Sequence, residues 1–291
     1  MTLEAKLFID SRCRLGEGPF WNPLLGQLFW FDILEKTLFA ANDAGTVINR
    51  WLFDEFVTAA AIIDTDTLAV ASETAILRFD LRTGKSSVLT PLEEDIPGNR
   101  SNDGRINPAG GLWIGTMEHA EHYYSGSVYQ YREGKLKRLF GDIRVPNSTC
   151  FSPDGTIAYF TDTPTKINMQ RKIDPRTGEP LGYWSNFADT SGDPGAPDGS
   201  VVDAEGYLWN ARWGGYRVIR YAPDGRVDRE VHVPASNVTC PAFGGADLKT
   251  LYITTASKTL SAEQLAQQPH AGSVFAIPLD VTGLPDPLLK L

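Results

Sequence analysis

Short apolar runs recur along the chain in pairs, each pair split by a turn rich in Gly, Pro, Asn or Asp. The stretch 195–213 shows the unit most plainly. Asp198 leads into Val201-Val202, Asp203-Ala-Glu-Gly206 makes a turn, and Leu208-Trp209 forms the second run. Two β-type runs about a Gly-containing turn predict a hairpin. The unit occurs six times, with turns beginning at Asn22, Asp64, Asn107, Ser152, Asp203 and Gly244. A spacing in the low forties, stretched once to about fifty, with several strands per unit, is that of a propeller blade. The expectation is all-β: a six-bladed β-propeller of four-stranded antiparallel blades around a central channel, one domain over residues 1–291.

The remainder of each unit fits two outer strands. Blade two continues with Ala75 to Asp80, a turn at Arg82-Thr-Gly84 and Ser87 to Leu89. Blade three has Ser127 to Tyr131 and Leu136 to Phe140, and blade five has Arg217 to Tyr221 and Val231 to Val233. Ser261-Ala-Glu-Gln264 has capping-box form and predicts a short helix in a loop. The last blade is expected to use Ser273 to Ile277 and a strand near Leu288. Leu3 to Asp10 should pair with it and close the ring, since closure removes exposed edges.

The residue five positions before each turn is Glu17, Ala59, Asn102, Asn147, Asp198 or Thr239. The first strand of a propeller blade lines the channel, so these positions should form a ring about the axis. Five of them bear oxygen, where a buried strand favours apolar residues. Buried charges there cost several kcal/mol unless paired or bound to a cation. The same frame separates look-alikes. Asp154 and Asp224 of two Pro-Asp-Gly motifs fall where turns are required, whereas Asp198 of the third falls on the ring. Asn102-Asp-Gly104 also falls at a strand start rather than at a hairpin turn.

Glu17, Asn147 and Asp198 form a hard-cation set, two carboxylates and an amide, whose oxygen-only donors suit Ca²⁺, Mg²⁺ or Mn²⁺. The competing reading is a hydrogen-bonded polar plug without metal. The second strands should end beside this ring, at Asp32, Met117 to His122, Thr161 to Thr163, Arg212-Trp213 and Thr255, with Arg100 at the same mouth. His119 and His122 read as loop residues over the site, because two histidines without a third ligand are weak grounds for zinc. Neither a nucleophile elbow nor a phosphate or dinucleotide loop is present in the sequence.

Charge narrows the partners. The 291 residues carry a formal net charge of −9. An acidic surface disfavours nucleic acid and anionic membranes. No apolar run is long enough to span a bilayer, and the N-terminus has no signal-peptide pattern. Cys13, Cys150 and Cys240 lack metal spacing and read as buried apolar residues in a reduced, cytoplasmic protein. A monomer or weak homo-oligomer is expected.

At these positions the chain resembles the regucalcin (senescence marker protein)/gluconolactonase family of six-bladed propellers. The resemblance is carried by Leu15-Gly-Glu-Gly-Pro-Phe-Trp21, Arg100-Ser-Asn-Asp-Gly-Arg105, Gly115-Thr-Met117, Pro197-Asp-Gly199, Trp213-Gly-Gly215 and Ala242-Phe-Gly-Gly245, in the family's order. It implies a divalent metal on Glu17, Asn147 and Asp198, with Ca²⁺ first and Mn²⁺, Mg²⁺, Fe²⁺ or Zn²⁺ as alternatives. It also implies substrate contacts from Arg100 and Asn102, and hydrolysis of a cyclic sugar (aldono) lactone with the Asp198 carboxylate as base. Ser148 departs from the family, which usually has Gly there. The segment Glu118-His-Ala-Glu-His122 is not a family signature. Glu118 and His119 are therefore the expected determinants of substrate choice. The alternatives are a non-catalytic calcium-binding or regulatory protein on the same fold, an organophosphate or ester hydrolase, and a structural propeller.

Overall fold

The protein is described by a computed structural model covering residues 3–291. Six antiparallel sheets follow one another along the chain. Their first strands are Gly16–Asn22, Val57–Ile62, Asn99–Ile106, Pro146–Phe151, Ala196–Val202 and Val238–Gly244. Each of these strands touches the next, and the sixth returns to the first, which makes a closed six-bladed propeller. The blades pack face to face through apolar clusters, with Trp30, Trp113 and Trp209 fully buried. The Asx turns form where the sequence places them. Asn22, Asn107 and Asp203 each accept backbone N–H groups within their own turns. Asp154 and Asp224 do the same at Thr156 and Arg226.

Ring closure differs from expectation in two respects. The segment Leu3 to Asp10 is divided between blades. Leu3–Glu4 adds a parallel fifth strand to blade five, and Lys6–Ile9 supplies the antiparallel outer strand of blade six against Val274–Pro278. No strand forms near Leu288. Pro285 and Pro287 remove alternate N–H donors there, and the tail crosses beneath the propeller as extended chain. It is held by Ala204 N–H to Thr282 O, Leu289 N–H to Ile62 O and Lys290 N–H to Gly110 O. Leu289 is buried in the core between blades two and three. The predicted helix is Ala262–Gln267, and its Ser261–Gln264 capping box is complete.

Every first strand carries a β-bulge at or beside the ring position. The register with the second strand slips between Glu17 and Phe20, Val57 and Ala59, Ser101 and Gly104, Asn147 and Cys150, Pro197 and Ser200, and Val238 and Pro241. A bulge bends the strand and re-aims a side chain. Here four of the six bulged ring positions, Glu17, Asn102, Asn147 and Asp198, come to line one cavity.

Candidate active site

The ring residues from four blades meet in one cavity of about 620 Å³ at one end of the channel. Glu17, Arg100, Asn102, Asn147 and Asp198 all line it, and His119 stands at its rim. The other two ring positions do not line it. Ala59 is apolar and buried. Thr239 donates its hydroxyl to Gly16 O, 2.5 Å away, and so fastens blade six to blade one.

The bulges set the geometry. Gly18, after Glu17, has φ +52°, and a Cβ there would meet Thr58 O at 2.3 Å. Ser148, after Asn147, occupies the same left-handed region at φ 60°. The departure from glycine therefore leaves a glycine-like backbone in place. The serine hydroxyl donates to Asp198 O at 2.6 Å and accepts from Asn210 Nδ2 at 3.0 Å. It ties the strand of Asn147 to that of Asp198.

A chain of hydrogen bonds orders the floor. Arg100 Nη1 donates to Asn102 Oδ1 (2.8 Å), and Asn102 Nδ2 donates to Asn147 Oδ1 (2.9 Å). Asn147 Nδ2 donates to Thr163 Oγ1 (2.8 Å), whose hydroxyl donates to Pro197 O (2.9 Å). Because Asn147 Nδ2 is spent on Thr163, its oxygen is free to face the axis with one lone pair left.

Glu17 and Asp198 are 9% and 6% exposed, and neither forms an ion pair among the described residues. The Glu17 carboxylate accepts the Gly18 N–H at 2.9 Å. Burial pushes both acids above the usual carboxylate range; the Asp103 charge pushes both in the same direction, and the Glu17 charge adds to the rise at Asp198. Asp103 lies deeper, accepts the Thr149 N–H at 2.8 Å, and is pushed up to about 6 by burial. No group of three His, Cys, Asp or Glu side chains comes together for a metal among the described residues. The donors here are instead two unpaired carboxylates and an amide oxygen. Such a set suits a hard divalent cation, which would offset the repulsion between buried acids.

The rim is built by loops. His119 Nε2 lies 3.0 Å from Glu73 Oε1, and the ring packs on Phe56. Glu118 is turned away from the cavity, and its carboxylate accepts the N–H groups of His122 and Tyr123. Glu121 takes its place at the rim. It pairs with Lys258 at 2.7 Å across the mouth, and its carbonyl accepts Arg144 Nε at 2.6 Å. Arg212 pairs with Pro197 beside the ring as expected, but its side chain is fully buried and does not line the cavity. Asp103, within the Asn102-Asp-Gly104 segment, lies outside the cavity lining, whereas the lining includes three cations to which the sequence did not point, Arg144, Lys166 and Lys258. The last two follow the ends of second strands, so the rule that picked out Thr161 to Thr163 would have found them if carried three residues further.

A model of the SMP-30/gluconolactonase/LRE-like region matches residues 15–257, a span that contains all six ring positions. The chain belongs to this family. Among relatives, the L-arabinolactonase of Azospirillum brasilense is 37% identical over 94% of this chain and 91% of its own length. The 6-deoxy-6-sulfogluconolactonase of Pseudomonas putida is 34% identical over 94% of both chains. The crystal structure of a calcium-binding protein, regucalcin, from Agrobacterium tumefaciens superposes with a TM-score of 0.97 at 40% identity, covering 100% of both chains. No helix among the described residues is long and apolar enough to cross a membrane.

Proposed function

We propose that this chain hydrolyses the ring ester of a sugar lactone to the open aldonic acid. The observation that carries the reading is the convergence of two carboxylates without ion pairs, Glu17 and Asp198, and the Asn147 amide on a cavity that also presents Arg100 and Asn102. The family's lactonases, which act on pentose- and hexose-derived lactones by their names, support it. A divalent cation held by Glu17, Asn147 and Asp198, Ca²⁺ first among the candidates, would supply Lewis-acid polarisation of the lactone carbonyl.

Asp198 is the group placed to take the proton of the attacking water and return it to the departing ring oxygen. Ligation to a cation would lower its basicity. Burial and the Glu17 charge work the other way, which keeps a proton-accepting role open to it near neutral pH. In the variant of this mechanism Asp198 only orients the water. Arg100 and Asn102 hold sugar hydroxyls, and their mutual hydrogen bond sets both donors before substrate arrives.

The deciding experiment strips the protein of metal and resupplies Ca²⁺, Mg²⁺, Mn²⁺, Fe²⁺ or Zn²⁺ in turn. Acid release is then followed with pentono- and hexonolactones. Activity lost with the metal and restored by at least one ion is expected. Ca²⁺ binding with no hydrolysis of any lactone would favour the non-catalytic calcium-binding alternative.

A further inference from the structure

The rim of the cavity runs against the charge of the rest of the molecule. The chain has a formal net charge of −9, yet Arg144, Lys166 and Lys258 stand at the rim with Glu121 as the acid among them. Lys258 is paired with Glu121. Arg144 spends Nε on the Glu121 carbonyl, and its terminal nitrogens have no hydrogen-bond partner among the described residues. The Lys166 ammonium has none either. Both side chains are half-buried.

Their backbones are held firmly. Asp162 accepts the N–H groups of Arg144 and Val145 at 3.3 and 2.8 Å. Lys166 sits in the left-handed region at φ 56°. Its N–H donates to Thr163 O, and its carbonyl accepts both the N–H and the hydroxyl of Thr190. A lysine gains nothing conformationally from that region, where Gly or Asn is cheaper. The Asp162 carboxylate lies near enough to feel the Arg144 charge, but neither cation forms an ion pair among the described residues, and each keeps charged donors unspent. Two such cations on neighbouring loops, facing one cavity, make an anion site.

We propose that the lactone this cavity takes carries an anionic exocyclic group, in the simplest case a carboxylate, held by Arg144 and Lys166 while the ring ester lies over Glu17, Asn147 and Asp198. This rests on the lactonase reading. Arg100, bonded to Asn102 at the floor, serves the ring hydroxyls and is not part of the anion site. A neutral hydroxymethyl group in the same place would leave the terminal nitrogens of Arg144 and Lys166 without an anionic partner.

The test compares lactones that differ only in the exocyclic group: the γ-lactones of gluconic and glucaric acid, and those of galactonic and galactaric acid. In the metal-loaded protein, kcat/KM for the acidic member should exceed that of its neutral partner by about tenfold or more in at least one pair. The ratio should shrink as salt is added. It should also collapse in Arg144→Gln and in Lys166→Asn, the latter chosen because Asn tolerates left-handed backbone; thermal melts check that both variants fold. Equal or better hydrolysis of the neutral members overturns the anionic assignment and leaves the lactonase reading standing. An acidic preference that survives both substitutions overturns the assignment to these residues. Hydrolysis of no member, with any metal, sinks the lactonase reading and this one with it.

Discussion

Glu17 and Asp198 hold their protons more tightly in the folded chain than in the unfolded one, because burial and the charges of neighbouring acids (Asp103 for both, Glu17 for Asp198) disfavour their ionised forms. Folding therefore takes up protons. Stability of the metal-free protein should fall as pH rises above the ordinary carboxylate range toward neutrality, and added Ca²⁺ should flatten that slope. Melting curves of chelator-treated protein across pH measure it, and a pH-independent melt without metal would contradict the placement of the two acids. Asp198→Asn should lower kcat by about 10²–10⁴ while raising the melting temperature of the metal-free protein, since one of the repelling charges is gone. Ser148 gives a second contrast. Ser148→Ala keeps the strained φ and removes a hydrogen bond to Asp198 O, for a loss of about 1–3 kcal/mol. Ser148→Gly relieves the strain while losing the same bond, so it should cost less in the same denaturation experiment. The ring residues were legible in the sequence because their distance from each turn is constant. Glu118 could not be told from Glu121 in that way, since the loop that carries both has no period. Arg144 reaches the cavity through a loop path that no spacing encodes, whereas Lys166 and Lys258 lie only a few residues past second-strand ends.

Within single blades, the same residue types serve turn and core together. Asp203 was legible as a turn former, and its Oδ1 accepts the N–H groups of Glu205 and Tyr207. Its Oδ2 also takes Arg220 at 2.7 Å and Trp209 Nε1 at 2.9 Å, with Arg220 and Asp203 almost wholly buried. The guanidinium lies 3.7 Å from the centre of the Tyr207 ring. Removing one member of a buried pair leaves the other charge uncompensated. Arg220→Ala should therefore cost about 3–5 kcal/mol in chemical denaturation, although the residue lies outside the cavity lining. A loss below about 1 kcal/mol would mean that the pair is solvated. The bulges were not legible. An extra residue in a strand shifts pairing without altering the apolar pattern by much, so only coordinates reveal that all six first strands share it.

At the scale of the molecule, six copies of one hairpin pattern made the propeller readable, because periodicity needs no knowledge of partners. The segments outside the repeat were read less well. An apolar run near Leu288 looks like a strand until its prolines and its path under blades two and three are seen. That tail links blades six, five, three and two. Deleting residues 282–291 would expose the site of Leu289 and leave Arg105, 3.5 Å from Asp286, without its partner. A loss of about 3 kcal/mol or more is expected, read as a lower denaturation midpoint; an unchanged midpoint would show the tail to be an ornament. The division of the N-terminal segment between blades five and six has its own consequence. Lys6–Ile9 emerge from the ribosome before any blade exists, yet they complete a sheet whose other strands are among the last to be made. That strand must remain without its partner until Val274–Pro278 has been made. The circle can zip only after the last blade has been made, and in that interval an exposed edge is most open to capture by a chaperone or by a second nascent chain.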